Sequence, residues 1–129
     1  MRPKDSIWTD EQWDAISKDK NNIIVSAGAG SGKTAVLTER VVYKLKQGVS
    51  IDNLIILTFT NAAAKEMKER RRDKIKDDKS LINQLVLLDK ANITTFDAYS
   101  LSLVKKYHYL LGLSKNINII DNIFLKINL

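Results

Sequence analysis

The chain has no cysteine, one proline and only five glycines among 129 residues. Without cysteine, disulfides and thiolate metal sites are excluded, and a reducing compartment fits. So little proline and glycine excludes a collagen-like or linker-rich chain. No apolar run approaches the roughly 18 residues that a membrane span needs. The opening Met1-Arg-Pro-Lys-Asp5 leads into polar sequence without an apolar signal core. One cytoplasmic domain, or part of one, is expected, with no membrane. Acid is the scarcer charge: 15 Asp and Glu against 21 Lys and Arg, for a net charge of +6. That balance suits a polyanionic partner such as nucleic acid, yet it equally describes an ordinary basic protein.

What is present centres on residues 23–34, Ile-Ile-Val-Ser-Ala-Gly-Ala-Gly-Ser-Gly-Lys-Thr. An apolar, β-branched run predicts a strand over 22–26. A glycine-rich turn follows, and then a helix over about 32–47 with Leu37, Val41, Val42 and Leu45 as its apolar stripe. Strand, glycine loop and helix are the setting in which G-x-x-x-x-G-K-[ST] becomes a phosphate-binding mechanism. Loop N–H groups converge on an anion at the helix start. Lys33 supplies charge for the β- and γ-phosphates of ATP, and the Thr34 hydroxyl is a ligand for Mg²⁺. One departure is visible, since the first glycine of the strict pattern is Ala27 here.

Upstream, Thr9 and Gln12 form a capping box at the start of a helix over 8–17, with Trp8 and Trp13 at the staple positions. Gln12 has two readings, a cap or an amide that reads an adenine edge. Downstream, Leu54–Phe59 is a continuous apolar run, which predicts a parallel strand buried on both faces. With the strand over 22–26 it makes a β-α-β unit with a right-handed crossover. Thr58, Phe59, Thr60 and Asn61 close that strand before a long helix from Ala62. Ligands of open parallel sheets bind outside such strand ends, so Phe59 either leaves the core there or packs within it.

Eight basic residues between 65 and 79 are interleaved with acids. They read as a solvated helix face with i,i+4 pairs, or as a phosphate-contacting edge to which Arg70, Arg71 and Arg72 contribute. Residues 80–89 predict a short buried helix, and 91–96 a third strand. Asp97 opens a helix through Leu111 that Gly112 stops. His108 reads as packing. The apolar stretch 117–129 looks like a chain cut within a larger protein. After Thr34 no apolar strand ends in the paired acids that hold Mg²⁺ for hydrolysis, so nucleotide binding without turnover is expected.

Three separately spaced stretches now carry a resemblance: Trp8–Trp13, Ala27–Leu37 and Leu57–Met67. The chain resembles superfamily 1 DNA helicases of the UvrD/Rep type. Ala35, Leu87–Thr95 and Val104–Leu110 are more similar to helicase–nucleases of the AddA type. The resemblance implies a P-loop (RecA-like) α/β three-layer sandwich with a parallel sheet. Residues 1–129 would be the first part of motor domain 1A, truncated near the start of an inserted helical domain. It implies ATP and Mg²⁺ as cofactors, an AddB-like protein together with single- and double-stranded DNA as partners, and work in double-strand-break repair and recombination. Gln12 would read adenine. Ala27, Gly28, Ala29, Gly30, Ser31, Gly32, Lys33 and Thr34 would form the phosphate loop, with Lys33 and Thr34 catalytic. Thr58, Phe59, Thr60 and Asn61 would lie along single-stranded DNA, Phe59 as a stacking platform, and Thr94, Thr95 and Phe96 would form the next DNA contact. The family usually has histidine where this chain has Asp97, whose charge repels phosphate, so no DNA role passes to it. Two alternatives remain, a UvrD/Rep-type helicase without a nuclease and a stand-alone nucleotide- or DNA-binding module.

Overall fold

In a computed structural model, residues 2–19 and 22–117 are described, so most of the apolar stretch 117–129 lies outside them. Helices dominate, around one small parallel sheet: α1 Asp10–Ser17, α2 Lys33–Lys46, β1 Ile55–Thr58, α3 Asn61–Lys76, α4 Gln84–Leu88, β2 Asn92–Thr95 and α5 Phe96–Tyr107. The class is α/β.

The sheet has two strands, β1 beside β2, with Ile55 opposite Asn92 and Thr58 opposite Thr95. This register brings both carboxyl ends level. Helix α3 lies between the strands in sequence and contacts both. Val41, Val42 and Leu45 of α2, Ile56 of β1, Met67 and Ile75 of α3, Ile51, Leu81 and Leu88 form one core cluster. The stripe of α2 therefore faces inward as its spacing requires, with Leu37 partly buried at the margin. Gly48 follows the end of α2 at φ 89°, a left-handed stop open to glycine.

Four expectations change. No strand forms over 22–26, and the backbone there has no ladder partner among the described residues. A strand is stable only beside another, because its N–H and C=O groups point sideways; Ile24 is left 97% exposed. The β-α-β unit through α2 falls with it, and β1–α3–α4–β2 is the unit observed. Strand β1 is buried on alternate residues, Ile56 and Thr58, because two strands give the helices only one complete face to cover. The short helix over 80–89 is a 3₁₀ turn over Lys79–Leu81 and then α4, with Leu81 and Leu88 buried but Val86 exposed.

Charge placement also departs from expectation within α3. Arg70 pairs with Glu66 at 2.6 Å, Arg72 with Asp89 at 3.0 Å and Lys74 with Glu39 at 3.1 Å. Lys68 reaches the same Asp89 carboxylate, whose pKa it lowers by hydrogen bond and charge, with Arg72 adding to the effect. Arg71 turns inward on the stripe Ala64, Met67, Arg71, Ile75 and is fully buried. Its guanidinium donates to the Met67 carbonyl at 3.1 Å and its Nε finds no partner. Arg70 to Arg72 thus do not form a phosphate-contacting edge. The solvated, paired face is the reading that holds, with Arg71 as its exception.

Candidate functional site

The loop before α2 is exposed, and Gly30 and Gly32 have φ of 75° and 78°, where a side chain would be strained. Ala27 is not among the positive-φ positions, so alanine fits where the strict pattern has glycine. Gly32 is the N-cap of α2 and offers no side-chain cap. The first N–H groups of this helix therefore stay available, at the positive end of its dipole. Lys33 Nζ folds back onto the loop, donating to the Gly28 carbonyl at 2.6 Å and the Ala27 carbonyl at 3.1 Å. Ser31 Oγ donates to the Gly28 carbonyl at 2.7 Å. Thr34, half-buried in the first helical turn, stands beside Lys33 in sequence. The donor set fits a phosphate and its Mg²⁺: uncapped amides, one ammonium and one hydroxyl.

Helix α1 flanks this loop. The Thr9 hydroxyl accepts from Gln12 N at 3.2 Å, and Gln12 Oε1 accepts from Thr9 N at 3.0 Å, which completes the expected capping box. Gln12 Nε2 also donates to the Ser31 carbonyl at 3.3 Å. Each end of the amide keeps capacity for one more bond, since its oxygen has two lone pairs and its nitrogen two hydrogens. The tryptophans part company. Trp13 meets Tyr43 of α2 edge-on at 5.7 Å, whereas Trp8 lines a groove with Thr38, Glu39 and Lys74. A cavity of about 450 Å³ opens between α1 and α2, lined by Gln12, Val25, Ser31, Lys33, Leu37 and Arg40 among others.

Sequence reasoning missed Arg40. Its Nη1 donates to the carbonyls of Ala15 (2.8 Å), Ile16 (3.2 Å) and Lys18 (3.0 Å). The only signal was indirect: α1 has no basic residue in its last turn, so its closing carbonyls need partners from elsewhere.

The strand ends form a second cluster. Thr60 caps α3 by accepting from Ala63 N at 3.1 Å, and Thr95 caps α5 by accepting from Ala98 N at 3.2 Å. Thr95, not Asp97, is the cap of α5, and the helix starts one residue earlier than the sequence suggests. Thr58 Oγ1 donates to the Thr60 carbonyl at 2.9 Å, which fixes the turn out of β1. Phe59 and Phe96 leave the level strand ends side by side, with ring centroids 5.6 Å apart and planes inclined by 34°. Phe59 is 92% exposed and Phe96 50%. Asn61 is exposed beside them, while Thr94 is half-buried. The structure thus unites Thr58–Asn61 and Thr94–Phe96 in one patch with an aromatic surface.

Among the described residues no group of three His, Asp or Glu side chains could hold a metal, and no helix is long and apolar enough to cross a membrane. His108 lies half-buried, with Nδ1 2.9 Å from the Leu113 carbonyl, as a packing role requires.

An uncapped helix start behind a glycine loop, with a glutamine at its side and aromatic strand ends on the adjoining sheet, defines a nucleotide-site class rather than a single protein. The chain belongs to the UvrD/REP helicase N-terminal domain family, whose sequence profile matches residues 8–126. It is 47% identical over 126 residues to the AddA-type ATP-dependent helicase/nuclease of Heliobacterium modesticaldum, across 92% of this chain and 9% of that protein. The proteins of the same name from Geobacillus kaustophilus and Enterococcus faecalis are 45% and 42% identical over 130 and 123 residues. Those alignments cover 93% and 88% of this chain and 10% of each relative. The chain spans about a tenth of the length of the curated relatives it matches.

Proposed function

We propose that this chain is the nucleotide-binding, DNA-contacting portion of the first motor domain of an ATP-dependent DNA helicase–nuclease that works in double-strand-break repair with an AddB-like partner. In that setting the small sheet belongs to a P-loop, RecA-like three-layer sandwich. The observation that carries the nucleotide reading is the uncapped start of α2 beside Lys33, with Gln12 tethered to the same loop. The N–H groups after Gly32 bind the phosphates, and Lys33 leaves the Ala27 and Gly28 carbonyls to meet the β- and γ-oxygens. Mg²⁺, when bound with ATP, neutralises phosphate charge and takes the Thr34 hydroxyl as a ligand. The open donor and acceptor of Gln12 match adenine N7 and N6. Phe59 and Phe96 offer flat apolar faces to the bases of single-stranded DNA, and Asn61 and the neighbouring threonines hold its backbone. These residues alone bind nucleotide weakly and do not hydrolyse it, since no second acidic Mg²⁺ ligand closes an apolar strand in the sequence.

The test is Lys33→Ala. Lys33 is exposed and contacts only its own loop, so circular dichroism stays unchanged. Titration with a non-hydrolysable ATP analogue shows a loss of about 3 kcal/mol, roughly 100-fold in Kd. Unchanged affinity would remove the phosphate-site reading.

A further inference from the structure

We propose that Arg40 is a positioning residue for base selectivity, acting through α1 and Gln12. The proposal rests on the reading of Gln12 as the adenine contact, and its test separates the two. Helix α1 has only eight residues, and its last carbonyls lie at the negative end of the helix dipole. One guanidinium nitrogen from α2 gathers three of them, those of Ala15, Ile16 and Lys18. At its other end α1 is tied to the loop by the single long bond from Gln12 Nε2 to the Ser31 carbonyl. The helix is thus held at two points, and Gln12 lies between the phosphate loop and the Arg40 clamp.

Spacing on α2 gives the arrangement its direction. Lys33, Val36, Leu37 and Arg40 follow i, i+3, i+4 and i+7, one face of a helix, and all four line the cavity that also holds Gln12. Seven residues span about 10 Å along the axis. The phosphate charge sits at one end of this face and the clamp at the other. Ile16 and the Trp13–Tyr43 contact keep α1 against α2 but are non-directional, so they do not fix its rotation. The Arg40 bonds are directional, and rotation of α1 is the movement that would carry the Gln12 amide off the base edge. Guanine presents an acceptor where adenine presents a donor, so displacement of this amide is read as lost discrimination rather than lost phosphate binding.

The experiment measures Kd for non-hydrolysable adenosine and guanosine triphosphates and for inorganic tripolyphosphate in the full chain. Gln12→Ala lowers the preference for adenine about tenfold. Arg40→Met is expected to lower it by a similar factor, to leave tripolyphosphate within about twofold, and to add nothing further in the Gln12→Ala background. Arg40→Lys, which keeps the charge on a single donor group, restores part of the preference and serves if Arg40→Met does not fold. If Gln12→Ala leaves selectivity unchanged, the adenine reading fails and the Arg40 proposal with it. If Gln12→Ala acts and both Arg40 variants keep wild-type selectivity, or lose all three ligands equally, the Arg40 proposal alone is overturned.

Discussion

Two kinds of junction lead into helices in this molecule. At β1–α3 and β2–α5 a paired strand ends in a threonine whose hydroxyl takes up a helix N–H, through Thr60 and Thr95. At the start of α2 there is no paired strand and no side-chain cap, only Gly32 in a left-handed turn. The first two junctions satisfy themselves; the third keeps its amides for a ligand. Anion binding therefore belongs to the junction that looks least complete, and the capped junctions present side chains instead.

That contrast can be sharpened by substitutions on either side of it. Phe59→Ala removes a side chain that is nearly all in solvent, so stability holds while affinity for a single-stranded oligonucleotide falls by about 1–3 kcal/mol. No change in DNA affinity would leave the aromatic patch without its assigned task. Arg71→Met is expected to act in the opposite way. Burial lowers the Arg71 pKa to about 10, so at neutral pH it is still a buried cation, and no ion-pair partner faces it among the described residues. Methionine at this position raises stability by about 1–3 kcal/mol in urea unfolding, with ligand affinities unchanged. A fall in stability would show that the guanidinium is better satisfied than its hydrogen bonds indicate.

Thr60→Ala costs about 1 kcal/mol of stability and leaves nucleotide affinity alone, because α2 does not depend on that cap. Nucleotide binding that weakened in parallel would break the separation between the two kinds of junction. The smallest effect concerns Asp78, whose carboxyl is held at about 2 by the Ser80 hydroxyl first and then by Lys46. Its folded pKa lies below the ordinary 3.8, so its contribution is complete above about pH 4 and is lost as pH falls toward 2. Asp78→Asn flattens that part of a stability–pH curve.

What could be read from the sequence was what local chemistry determines. The Thr9–Gln12 capping box, the stripe of α2, the stop at Gly48 and the strand-to-helix turn after Thr58 depend on residues a few positions apart. Ile23 to Val25 looked the same as the run in β1, yet pairing is a property of two segments, and one segment cannot reveal it. Arg71 was hidden in a run of charges, though it occupies the register of Ala64, Met67 and Ile75. For the site, the loop and its glutamine were legible, whereas the Arg40 clamp joins residues 22 to 25 positions apart.

The folded-back Lys33 has a consequence for which anions the loop admits. Its ammonium already has two oxygen partners, at 2.6 and 3.1 Å, so a ligand arrives as a competitor and not as a guest at an empty seat. A chloride ion offers one charge against two established contacts and gains little by the exchange. A polyphosphate offers several charges at once, held in a line that also reaches the amides of α2. The loop behaves as a threshold on ligand charge, and in a salty medium that threshold keeps it clear of the commonest anions.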